Sequence, residues 1–137
     1  MLKVHVLDTL HPHSRNAPHA VEVPPGARLL FTNGQTGTTP DGITPESTEA
    51  QALVVFERLR TILQAACMTF GDIVRLNTYL TYEDDVQVFL DVRDRIMGDY
   101  KPASTFFIIK ALVRPELKIE IEAIAAKVDY VLASSLS

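Results

Sequence analysis

Apolar positions recur along the chain with two different periods, and the change of period divides it into elements. Residues 3–7 alternate weakly, as a short edge strand does, and Ala20 to Val23 repeats the pattern. Between them His11, Pro12, His13 and Pro18 read as loop, and Pro24-Pro25-Gly26 reads as a turn. Arg28-Leu29-Leu30-Phe31-Thr32 is the first strong strand, and Asn33-Gly34 behind it predicts a tight turn. From Thr48 the period changes. Ala52, Val55, Phe56, Leu59, Ile62, Leu63 and Ala66 fall at i, i+3, i+4 and i+7, which predicts an amphipathic helix. Thr48 with Gln51 makes a capping-box pattern at its start, Glu49 suits the positive helix end, and the helix is expected to stop near Cys67.

A strand is predicted over Asp72 to Tyr82. A second helix follows, capped by Asp84 or Asp85, with Val88, Phe89, Val92, Ile96 and Met97 as its stripe and Gly98 as its stop. The last two elements are strands that read as the end of one sheet. Tyr100-Lys101-Pro102-Ala103-Ser104-Thr105 is a proline turn running into apolar residues up to Ile109. Lys118-Ile119-Glu120-Ile121-Glu122-Ala123-Ile124-Ala125 alternates strictly and carries both carboxylates on one face. Residues 1–130 are expected to form a single α+β domain, with 131–137 as a frayed tail. Two helices cover one face of a mixed sheet. The other face needs another cover, for which Phe107, Ile109, Ile119 and Ile121 are candidates and self-association is the simplest means.

Composition narrows the functions on offer. The 137 residues are 47% hydrophobic and 22% charged, enough for one sizeable core. No run approaches the roughly 18 apolar residues of a membrane span, and the N-terminus lacks a signal-peptide pattern. With one cysteine there is no intrachain disulfide, which fits a cytoplasmic setting. Net charge is −4 and the basic residues are scattered, which argues against nucleic acid as the main partner. His11-Pro12-His13 has no carboxylate or cysteine at ligand spacing, so no metal site is expected. Serine-hydrolase elbows, dinucleotide fingerprints and P-loops are absent from the sequence.

Taken in order, several segments resemble the Rid family (the YjgF/UK114 group), which includes the reactive-intermediate deaminases. They are Thr32-Asn33-Gly34-Gln35, Gln51 with the helix through Ile62-Leu63-Gln64-Ala65-Ala66, Gly71-Asp72-Ile73-Val74-Arg75, Pro102-Ala103-Ser104-Thr105, and Ile119 to Ala125. The resemblance spans residues 16–127 and rests on the order and spacing of these segments. It implies a chorismate-mutase-like α+β fold, a homotrimer, and three clefts between subunits that each hold a small metabolite. It also implies hydrolysis of an imine or enamine without a cofactor, because an imine carbon is already electrophilic.

The resemblance nominates site residues one by one. Glu120 matches the family glutamate that holds the attacking water; a strand glutamate paired with Lys118 or Lys110 is the plainer alternative. Asn33 matches a serine near the cleft, and turn chemistry alone also explains it. His19 follows Pro18 where the family has tyrosine; it is either a polar cleft contact or an exposed loop histidine. The family's carboxylate-gripping arginine after Pro-Ala is here Ser104, beside the backbone of Ala103. Arg93, on the second helix at a position where the family often has asparagine, is the candidate to restore an anion contact. Its alternative is an ion pair with Asp91 or Asp94. Loss of the arginine at 104 leaves a second function open, a binding protein without chemistry. An RNA-cleaving role, attached to some members by name, fits the acidic balance least.

Overall fold

The computed structural model describes residues 2–129 except positions 14 and 16, so the expected tail at 131–137 lies outside the described residues. The elements follow the order β1 (Lys3–His5), β2 (Ala20–Glu22), β3 (Arg28–Phe31), β4 (Gln35–Thr36), α1 (Thr48–Ala65), β5 (Ile73–Leu80), α2 (Val86–Met97), β6 (Ala103–Ile108) and β7 (Ile119–Lys127). The main sheet runs β3-β7-β5-β6, with β4 also on β7; β1 and β2 form a separate antiparallel ribbon. Among the described residues only the β5–β6 pair is parallel, and α2 makes the crossover a parallel pair requires.

Both helices lie on one face of this mixed sheet, the α+β arrangement expected. The apolar stripe of α1 (Ala52, Val55, Phe56, Leu59, Leu63) is essentially sealed from solvent, and Phe89, Val92 and Met97 of α2 join it. The sheet answers with Ile73, Leu76 and Leu80 from β5 and Ile119, Ile121, Ala123 and Ala125 from β7. Each large side chain here contributes about 1.5–3 kcal/mol by leaving water.

Four expectations change in detail. Ile119 and Ile121 face the helices, not the open side. Alternation groups them correctly, but it cannot say which group is buried. Asn33-Gly34 does not turn the chain. Phe31 opposes Ile124 and Gln35 opposes Ile121, so four steps on one strand (31 to 35) face three on β7 (124 to 121). This is a bulge in one continuous edge, with Thr32 still bonded to Ala123 in both directions. The cap of α1 is Ser47, whose hydroxyl accepts from the Ala50 N–H at 3.1 Å. Thr48 instead donates to Asp85 at 2.6 Å and ties the two helix starts together. Finally, β7 is no sheet end: it lies between β3/β4 and β5.

Gln51 has a task that the capping reading hides. Its amide is fully buried, donates to the carbonyls of Pro45 (2.8 Å) and Glu116 (2.9 Å), and accepts from the Lys118 N–H (2.9 Å). It thereby pins the loop before α1 and the start of β7 to each other. The close of α1 is also informative. Met68 N–H reaches Leu63 O and Cys67 N–H reaches Gln64 O, with Cys67 itself at φ +57°. That is a Schellman stop with cysteine at the left-handed position that glycine usually fills.

Candidate functional site

The face of the sheet away from the helices carries a row of polar side chains. β5 alternates buried Leu76, Thr78 and Leu80 with outward Asn77 and Tyr79, and β7 does the same with Glu120 and Glu122. Register sets Tyr79 beside Glu120 and Asn77 beside Glu122. The two glutamates live differently. Glu122 accepts from the Tyr79 hydroxyl at 2.8 Å and from Asn77 at 3.3 Å. That hydrogen bond, then burial, raises the Tyr79 pKa above its usual value.

Glu120 is half-buried, and among the described residues its carboxylate has neither a side-chain hydrogen bond nor an ion pair. Lys118, a candidate partner, donates instead to the Glu46 carbonyl at 2.6 Å, and Lys110 is solvent-exposed. The bulge brings Gly34 against Glu120. A Cβ at residue 34 would sit 2.7 Å from the carboxylate carbon. Asn33 is exposed at the bulge, and its carbonyl accepts from Gln35 at 3.0 Å. Glu120, Gly34 and Asn33 thus form one half of the candidate site, a carboxylate without a partner among the described residues over a glycine floor.

The second half lies at the other edge. Among the described residues β6 is an edge strand, so one set of its backbone groups has no strand partner there. Ala103 opens it and Ser104 follows, both half-buried. Arg93 comes down from α2 with its side chain only 12% exposed, and its Nη1 points at the Ser104 hydroxyl from 3.5 Å. The structure therefore brings Arg93 to the very position where the arginine is missing. It also gives Arg93 a carboxylate, because Nη2 and Nε lie 3.0 and 3.1 Å from Asp94 Oδ1. Arg15 takes the other oxygen of Asp94 at 2.7 Å and reaches Asp91 at 3.3 Å. Burial alone would raise the Asp94 pKa, but the hydrogen bonds from Arg15 and Arg93 outweigh it and hold the carboxyl below its usual value.

The two halves do not meet within one chain. Ser104 pairs with Leu76, and Glu120 with Tyr79, so they stand two strands and three residues apart, roughly 14 Å, on opposite faces of the sheet. His19 belongs to neither half. It immediately precedes β2, where its Nδ1 accepts from the Leu7 N–H (3.1 Å) and its Nε2 faces the His11 carbonyl (3.0 Å). Those two contacts fit one neutral tautomer, with the proton on Nε2. Sequence reasoning missed Arg15 and the Tyr79–Glu122 bond. Both join residues far apart in the chain, and neither has a local pattern to betray it.

A cavity of about 540 Å3 lies elsewhere, between the β1–β2 ribbon and the loops around Gly71 and Tyr100. Apolar residues such as Val4, Val21 and Ile73 dominate its walls, and it holds none of the residues named for the site.

Comparison with known proteins agrees with the motifs. The family model described as Endoribonuclease L-PSP matches residues 10–127. TdcF of Escherichia coli, whose name assigns it only provisionally to the reactive intermediate deaminases, is 27% identical over 103 residues, covering 72% of this chain and 79% of that protein. Protein HMF1 of Saccharomyces cerevisiae is 30% identical over 112 residues, covering 81% and 84%. Among solved structures, the Rid-family protein YyfB of Yersinia pestis, itself of unknown function, superposes with a TM-score of 0.82. It is 30% identical and covers 92% of this chain and 98% of its own.

Proposed function

The chain belongs to the Endoribonuclease L-PSP family, the YjgF/Rid group, and on that premise we propose that it hydrolyses small imines or enamines in clefts between the subunits of a homotrimer. The observation that carries this reading is Glu120, a half-buried carboxylate with no partner among the described residues and a glycine beneath it. A carboxylate so placed can accept a proton from water as the water oxygen attacks the imine carbon. The C=N bond becomes a carbinolamine, the proton passes to nitrogen, and ammonia leaves behind a carbonyl. No cofactor enters this balance.

Assembly supplies what one chain lacks. The outward face leaves Leu29, Phe31 and Phe107 at 56%, 67% and 47% exposure, an apolar surface suited to burial against a second copy. A neighbour's Arg93, Ser104 and Ala103 would then close over Glu120 and Asn33. Arg93 and the free backbone groups of β6 hold the substrate, and Asn33 lines the rim. His19, with both ring nitrogens engaged within its own loop, takes no part in this arrangement. A cytoplasmic setting fits the single, unpaired cysteine.

The test is to generate a short-lived imine in solution and follow its loss with and without the protein, alongside Glu120→Gln. Acceleration that vanishes in the variant supports the reading. No acceleration at high protein concentration refutes it and leaves a binding protein of the same fold. The RNA-cleaving role in the family model's description is answered separately by a salt titration. Phosphate contacts would make nucleic-acid binding fall steeply with salt, and with a net charge of −4 we expect no such binding.

A further inference from the structure

The β1–β2 ribbon has two unlike faces. Lys3 stands across from Glu22, and His5 Nε2 lies 2.9 Å from the Glu22 carboxylate, so one face is polar. Val4 stands across from Val21 on the other face, which Leu2 shares by alternation. A ribbon of two strands with 3 residues each is not stable alone in water. Its apolar face needs cover, yet Val4 remains 54% exposed. What that face meets is the cavity of about 540 Å3.

The cavity is built like a small-molecule pocket. Its volume falls within the range of about 300–1,000 Å3 that such pockets span. Ile73 and Ala126, at 3% and 2% exposure, and buried Pro102 give it an apolar floor. Charges of both signs stand around it, Lys101 and Lys127 with Asp72 and Asp99. Lys127 already donates to the Cys67 carbonyl at 2.8 Å, and just outside Arg28 is paired with Asp129. Neither sign prevails, so the lining selects by shape and apolar contact.

Tyr100 supplies the shape. Its ring is 57% exposed and lies so near Gly71 that a Cβ there would stand 2.9 Å from two ring carbons. Its backbone N–H is held by the Met97 carbonyl at 3.1 Å. The turn beside it is fixed as well: Asp72 accepts from the Thr69 N–H at 2.8 Å, and the Thr69 hydroxyl accepts from the Gly71 N–H at 3.3 Å. A held aromatic ring and the flat rings of Pro24 and Pro102 thus join the aliphatic side chains in one lining.

We propose that this cavity binds a compact aromatic molecule, with its ring over Ile73 and Ala126 beside Tyr100 and any polar group at the charged rim. Offset or edge-on contact with the Tyr100 ring favours an aromatic guest over an aliphatic one of equal size. Glu120, Gly34, Arg93 and Ser104 do not line the cavity, so this site stands apart from the proposed hydrolysis.

Indole is the first probe, titrated into the full chain and followed by the backbone amide resonances of Gly71, Ile73 and Ala126. The expected result is a saturable shift at all of them, with a Kd of about 1 mM or below. Indole-3-acetate and tryptamine carry opposite charges on the same ring and should bind within about tenfold of indole, whereas acetate should leave these resonances unmoved. Val4→Trp pushes a large ring into the cavity from a half-exposed position and should abolish the response to indole while leaving imine loss unchanged. Should that variant fold poorly, Tyr100→Ala removes the aromatic wall and should weaken indole about fivefold or more. The inference is overturned if indole gives no saturable response, which would leave the cavity to a protein segment. It is overturned equally if cyclohexanol binds as tightly as indole, if acetate matches indole-3-acetate, or if both variants bind indole as the parent does.

Discussion

Gly34 lies directly under Glu120, so close that a methyl group on it would stand 2.7 Å from the carboxylate carbon. The atom it would strike is the far end of a flexible side chain, which moves at little cost. We therefore expect Gly34→Ala to leave stability within about 1 kcal/mol of the parent while displacing the carboxylate. Imine hydrolysis should fall about tenfold or more, since small misplacements of a catalytic group cost large factors. Thermal melts beside rate measurements check both halves; a large loss of stability, or full activity, would contradict the expectation.

Cys67 occupies a left-handed position at φ +57°, which costs a residue with a Cβ about 1 kcal/mol or more. Cys67→Gly should stabilise the protein by about 1 kcal/mol and raise the melting temperature by a few degrees. Because the side chain is exposed, no packing is lost in exchange. A melting curve decides it.

Gln51→Leu should be severe. It keeps the volume but leaves two carbonyls and one N–H without partners around a site of 0% exposure. The expected loss is about 3–5 kcal/mol, measurable by urea unfolding. Retention of parental stability would mean that the loop and the start of β7 hold together by other means.

The acid limb of stability should carry the mark of Arg15. Asp94 has a folded pKa below its unfolded value, because the hydrogen bonds from Arg15 and Arg93 overcome burial. A lowered carboxylate pKa contributes stability in full above the unfolded value, about 3.9 for aspartate, and loses it as pH falls through the folded one. Arg15→Ala should thus lose stability near neutral pH and much less at the acid end, giving a shallower fall. Equilibrium unfolding at several pH values from neutral to below 3.9 measures that slope.

Much of this architecture was legible from residue order. Helices declare themselves because each buries one stripe, and α1 and α2 were readable from Val55, Leu59, Phe89 and Val92. Strict alternation in β7 placed Glu120 and Glu122 together for the same reason. What alternation does not contain is which face meets the helices, so Ile119 and Ile121 were assigned to the wrong side. Asn33-Gly34 suits a hairpin and a bulge equally well; the choice was made by β7, which lies about 90 positions away. Arg93 was readable as a helix position near residue 104. Its partner Asp94 was among the alternatives, but Arg15, which takes the other oxygen of Asp94, is 79 positions from it.

The place of β7 in the sheet has a consequence for how the protein is born. It sits between β3/β4 and β5, yet it is the last of these strands to be translated. Its register partners on β3 lie 93 to 99 positions upstream, from Phe31–Ile124 to Arg28–Lys127. While the ribosome is still at work on the preceding 118 residues, β3 and β4 have no neighbour in the main sheet. The nascent chain can form its helices, the β1–β2 ribbon and the β5–β6 pair, but not the complete sheet that the helices cover. Completion of the core therefore waits until residues 119–127 emerge, and until then Leu30 of β3 has no strand beside it.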